Sequence, residues 1–180
     1  MAEDKSSPDP YAAKLQQELA ACGVPAGAIQ VRYEDVLQGY DIVVSCGPLS
    51  EDQIAHIHDI GSLPGYVTFT HSRNTGLERE MITKRHKARL RKIAAGMADL
   101  PRFDPSTTTL AEFARAIERY CGLEPGASVE VVGDRFLTFR KLSLPFNGGE
   151  ASQRGRLMEI ISAALVDHDV QIGVIGGTSG

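Results

Sequence analysis

Six of the nine residues at positions 84–92 are lysine or arginine, His86 lies among them, and no acid interrupts the run. The chemistry such a run offers is electrostatic: it can follow a phosphate backbone or meet an acidic protein surface. The whole chain has 19 basic and 23 acidic residues, so a +6 segment sits in a body of −10. On a helix, Lys84, Lys87 and Arg91 fall within an arc of about 60°, flanked by Arg85 and Lys92. These five residues are the candidate contacts for an acidic partner or for nucleic acid. The bland alternative is a solvated helix face paired with the chain's own surplus acids. Two features weigh against nucleic acid. The net acidity of the body repels phosphate, and no aromatic residue interleaves the run to stack on bases.

Other residues of chemical interest form weaker groupings. His56, His58 and Asp59 resemble a metal-ligand cluster, as do Asp167, His168 and Asp169. Two residues apart on a helix, however, His56 and His58 do not share a face, which favours surface or partly packed histidines. His71 and Ser72 follow an expected strand, where functional loops often sit, but no paired nucleophile or acid accompanies them. Cys22, Cys46 and Cys121 are odd in number and form no CxxC, which suits free thiols in a reducing, cytoplasmic setting and gives no zinc signature. The glycine pairs at 148–149 and 176–177 match no phosphate-binding fingerprint. No metal site, cofactor or catalytic set is expected.

The elements that must position these residues follow from pattern. Asp9 and Pro10 are an N-cap and a first helical residue, and Tyr11, Leu15, Leu19 and Cys22 recur at near-helical spacing up to Gly23. Residues 29–33 and 40–45 read as a hairpin. Ser50 and Gln53 form a capping box before a helix with Ile54, Ile57 and Ile60 inward, and residues 66–70 form a third strand. The basic run belongs to one long helix over 76–100, with Ile82, His86, Leu90, Ile93 and Met97 in a stripe of about 80° that would dock on a core. Thr109 and Glu112 form a second capping box ahead of Phe113, Ile117 and Tyr120. A hairpin over 129–132 and 136–144 follows, then a loop over 145–149. A helix holding Leu157, Ile160, Ile161, Ala164 and Leu165 precedes a last strand over 170–175.

The order helix, strand, strand, helix, strand is thus stated twice. The copies align best at residues 22–28 and 121–127, both of which fit C-G-[VL]-x-x-G-A. The expected architecture is α+β: two pseudo-repeated αββαβ units joined by a long central amphipathic basic helix. Residues 1–8 would be a disordered lead-in, 9–71 the first unit, 72–106 the helix and linker, 107–176 the second unit, and 177–180 a frayed tail. The order is shared with small RNA-binding α+β domains, but neither half has their aromatic RNP strand or GXXG loop. No apolar run approaches the roughly 20 residues that span a bilayer. The functional expectation is a non-enzymatic binding or regulatory protein, an inhibitor or adaptor of an acidic macromolecular partner. The alternatives are a nucleic-acid-binding module using the same ridge, and an enzyme using His71 or the His56 and His58 pair.

Overall fold

The structure, a computed structural model, describes residues 9–139 and 149–173, with side chains from 155 onward in the second stretch. The expected lead-in 1–8, the segment 140–148 and the end 174–180 lie outside the described residues. The fold is mixed α and β, with five α-helices and two three-stranded sheets among the described residues. The chain divides into two compact units, Met1–Arg85 and His86–Gly180.

In the first unit, α1 (Pro10–Ala20) starts where the Asp9 carboxylate accepts from the Tyr11 amide, and Pro10 supplies a preset helical φ. It is released at Gly23, whose φ of 86° a side chain would resist. Strands β1 (Ile29–Glu34) and β2 (Gly39–Val44) pair antiparallel, with Ile29 opposite Val44 and Glu34 opposite Gly39. The capping box forms as expected, with Ser50 accepting from the Gln53 amide and Gln53 accepting from the Ser50 amide, and α2 (Glu51–Gly61) follows. Strand β3 (Gly65–Phe69) then runs parallel to β2, so the third strand pairs inside its own unit. Gly65 is required by close approach, because a Cβ there would lie 1.9 Å from the Tyr40 carbonyl oxygen. Leu15 and Leu19 of α1, Ile54 and Ile57 of α2, and Ile29, Ile42, Val44 and Phe69 of the sheet form the core. Strand alternation leaves Gln30, Arg32, Tyr66 and Thr68 exposed.

The second unit contains α4 (Leu110–Tyr120), β4 (Val129–Val132), β5 (Phe136–Phe139), α5 (Gly149–Ala164) and β6 (Gln171–Gly173). β4 pairs antiparallel with β5, and β6 parallel with β5. The Thr109 and Glu112 capping box opens α4. Phe113, Ile117, Val129, Leu137, Phe139, Leu157, Ile160 and Ile161 form this core, with Met97, Leu100 and Phe103 packed against it. The expected loop over 145–149 is corrected at its end, since Gly149 already belongs to α5.

The long helix exists as α3 (Ser72–Ala95), about one turn earlier at both ends than the sequence suggests. Its start is pulled back because Thr75 donates its amide to the His71 carbonyl and its hydroxyl to the Phe69 carbonyl at 2.9 Å, while Asn74 is drawn into the first core. It ends at Ala95, where the Gly96 amide still reaches the Lys92 and Ile93 carbonyls and Asp99 then takes φ 56°. The expected docking stripe is corrected. Leu90 is buried and Met97 packs on the second core, but Ile82 and His86 are exposed. The first turns of α3 are anchored by Asn74 and Leu77 instead. Every residue from 82 to 89 is exposed, so this stretch is uncovered all the way round the helix.

Candidate functional site

All six basic residues of the run are exposed, but arginine and lysine are used differently. Arg85 closes a two-pronged pair with Asp59 of α2, the second prong being Nη2 to Oδ2 at 3.1 Å. Arg89 donates to Glu159 of α5 at 2.7 Å. Arg91 donates through Nε and Nη2 to Asp167, the closest contact being 2.6 Å. The hydrogen bond from Arg85 holds the Asp59 carboxyl below the usual aspartate range, and that from Arg91 does the same for Asp167. Reciprocally, each arginine is held still more firmly in its charged form. A planar guanidinium suits such paired carboxylate contacts, whereas an ammonium is a compact, strongly hydrated charge. Among the described residues, Lys84, Lys87 and Lys92 have no carboxylate within 4.0 Å.

The candidate set Lys84, Arg85, Lys87, Arg91 and Lys92 therefore divides. Arg85 and Arg91, together with Arg89, are spent on the protein's own acids, and three lysines stay presented to solvent. The groove beside Lys84 and Arg85, about 180 Å³, is also lined by Glu51, Asp52 and Glu80, so its charge is mixed.

Among the described residues the histidines have separate surroundings. His56 is exposed on α2, whereas His58, on another face, sets its Nδ1 3.3 Å from the Glu78 carboxylate of α3. His71 caps α3 through its carbonyl, and its buried Nδ1 has no hydrogen-bond partner among the described residues. Asp167 is taken by Arg91, and Asp169 by Arg135 at 3.0 Å, while the His168 ring meets Phe103 edge-on at 5.3 Å. Among the described residues no three His, Cys, Asp or Glu side chains form a group able to hold a metal. The three thiols are free, and burial raises the pKa of each.

Two structural residues escaped the sequence reading. Asn74 is fully buried, accepts from the Leu49 amide at 2.9 Å and donates to the Gly47 carbonyl at 3.0 Å. Glu118 is fully buried, and its carboxylate accepts from the amides of Gly126, Ser128 (2.7 Å) and Val129 (2.8 Å). The signal for Glu118 was its place among Ala114, Ile117 and Cys121, the i, i+3, i+4, i+7 pattern of an inward face. Comparison with protein-family models, with curated proteins and with solved structures finds no match to this chain.

Proposed function

We propose that the protein is a non-enzymatic binding or regulatory protein, an inhibitor or adaptor, that engages an acidic protein surface through the middle of α3. The observation that supports this reading is the coincidence of full exposure over residues 82–89 with lysines left unpaired when neighbouring arginines are paired. A helix that is polar all round earns no stability from a core at that stretch, so local pairs hold it and its surface stays available. Ammonium groups that close no salt bridge steer an acidic surface toward the helix, while Lys87 already acts on Asp167 of the chain itself. Nucleic acid is the second reading. It is disfavoured because the arginines, the residues best suited to fork onto phosphate, are already closed by Asp59, Glu159 and Asp167.

The test titrates the chain against labelled poly-glutamate, duplex DNA and single-stranded DNA at low and moderate salt. Binding to poly-glutamate that weakens with salt and disappears in Lys84→Glu/Lys87→Glu/Lys92→Glu is the expected result. Tighter binding to DNA, lost in the same variant, transfers the ridge to the nucleic-acid reading. No binding to any probe at low salt ends both.

The duplication is part of the same proposal: both units descend from one αββαβ ancestor. In its support, each sheet pairs its hairpin antiparallel and its last strand parallel to the middle one. Gly23 and Gly122 also share a positive φ, at 86° and 72°. The second glycines of the two motifs differ. Gly27 lies in a short 3-10 turn, Ala26–Ala28, while Gly126 takes φ 86°, and β4 starts one residue later after its motif than β1. That extra residue lets Ile29 and Val129 both open their strands as buried positions. Exchanging residues 24–28 with 123–128 tests the relation. Retained near-native stability of both units supports descent from one unit, and loss of either fold counts against it.

A further inference from the structure

We infer that the acidic surface met by the α3 lysines is carried by a second copy of this chain, at the strand end of the first unit where Val36, Leu37 and Leu63 stand in solvent. This rests on the reading of α3 proposed above and names its partner. Val36 is 93% exposed, Leu63 92% and Leu37 51%. They occupy two loops at one end of the sheet. The hairpin turn 35–38 lies beyond the last β1–β2 pair, Glu34 with Gly39, and the Tyr40 amide donates to the Pro64 carbonyl at 3.0 Å, which brings 62–64 alongside. Isolated exposed aliphatic residues are ordinary, but three on two adjacent loops at one sheet end are a candidate contact surface.

The charge around the patch decides what fits it. Glu34 and Asp35 lead directly into Val36, and among the described residues neither has a cation within 4.0 Å. Arg32, the nearest basic residue along the strand, stands opposite Asp41 in the ladder. Docking two such ends on each other sets carboxylates against carboxylates, and phosphate-rich surfaces are repelled for the same reason. The fitting partner is a surface of unpaired cations with aliphatic stems. A lysine lays its butyl chain along apolar surface and carries its ammonium to the edge, where the acids are. Lys84 and Lys87, about 60° apart on α3, supply that surface in the same chain, and Lys92 lies about 80° round from Lys84 on the other side.

The contact is heterologous: the lysine ridge of one copy meets the apolar, acid-shouldered end of the next, and each copy keeps one unsatisfied half. Such contacts extend into chains or close into rings.

Sedimentation velocity across a concentration series tests this at low and moderate salt. Wild type is expected to grow beyond a monomer with concentration and to shrink with salt. Both the ridge variant, Lys84→Glu/Lys87→Glu/Lys92→Glu, and the end variant, Val36→Ser/Leu37→Ser/Leu63→Ser, should weaken self-association by about tenfold or more. All six residues are exposed, and circular dichroism checks that each variant keeps its fold. Mixing the two variants is decisive. The ridge variant retains a working end and the end variant a working ridge, so the mixture should form a 1:1 dimer and stop there. A wild type that stays monomeric at all concentrations overturns the second-copy partner. If that monomer still binds poly-glutamate through its lysines, the ridge reading stands alone; if it does not, both fall. Self-association that persists in either variant, or a mixture that yields no dimer, also overturns it.

Discussion

Replacing Glu118 with alanine should destabilise the second unit by about 4 kcal/mol. Its carboxylate is the acceptor for three backbone amides, and two of them, Ser128 and Val129, belong to buried residues. A buried amide left without an acceptor costs about 1–3 kcal/mol, so the two buried ones set a cost of roughly 2–6 kcal/mol. Gly126 is only partly buried, and water can reach its amide after the change, so it adds little. Glu118→Gln keeps the oxygen that serves Ser128 and Val129 but turns an amide donor toward Gly126, a loss of about 1–2 kcal/mol. Glu118→Leu fills the space yet leaves the amides bare, so it should fall near alanine. Since the chain has two units, the measurement is native-state hydrogen exchange at Ser128 and Val129, which reads the local opening free energy without assuming one global transition. Glutamine and alanine variants of equal cost, or an alanine variant within about 1 kcal/mol of wild type, would show that the carboxylate does not pin this connection.

Further consequences follow for the first unit and for pH. Asn74→Ala removes both the acceptor for Leu49 and the donor to Gly47, and should lower first-unit stability by about 2–3 kcal/mol in exchange of the α2 amides. Gly65→Ala puts a methyl group against the Tyr40 carbonyl, so β3 should detach from β2, seen as lost protection of the 65–69 amides. Asp59 and Asp167 have folded pKa values below their unfolded ones. Their pairs therefore stabilise above the ordinary aspartate pKa near 4, and the contribution fades as pH falls through the lower folded values. Thermal midpoints should drop on acidification below about pH 4, and less so in Arg85→Ala/Arg91→Ala. Tyr40 shows the opposite sign: its hydrogen bond to Asp9 pushes its pKa up to about 12, so that bond is intact below the ordinary tyrosine range and lost as pH rises through the folded value. Ultraviolet titration should show one phenol returning toward about 10 in Asp9→Asn.

What the sequence made legible were features whose physics is local. The Asp9–Pro10 start, the Ser50 and Thr109 capping boxes, and the glycine stops at Gly23 and Gly122 each depend on residues within one turn, and each stands as expected. The inward faces of α2 and α4 were equally readable, because three or four apolar residues recur with no competing pattern. The α3 stripe failed because a period shows which side could dock, not whether anything is there to dock on: Ile82 and His86 have the right phase and no core beneath them. Long-range polar pairing was invisible for a related reason. Arg91 and Asp167 are 76 positions apart, and no spacing rule connects them.

The basic run therefore means something different once its partners are known. As a string it is six like charges, which should repel and fray a helix at successive turns. In the folded chain three of those charges are cancelled by Asp59, Glu159 and Asp167, and all three are arginines. Fork-shaped groups are taken up each within its own unit, Arg85 by α2, and Arg89 and Arg91 by Glu159 of α5 and the segment just after it. Flexible, well-hydrated lysines are left outside. Had selection favoured only a soluble connector, lysine and glutamate alternating at i, i+4 would have served with less net charge. On the function proposed above, lysines that close no salt bridge on a chain with acids to spare are what an acidic surface approaching α3 would meet.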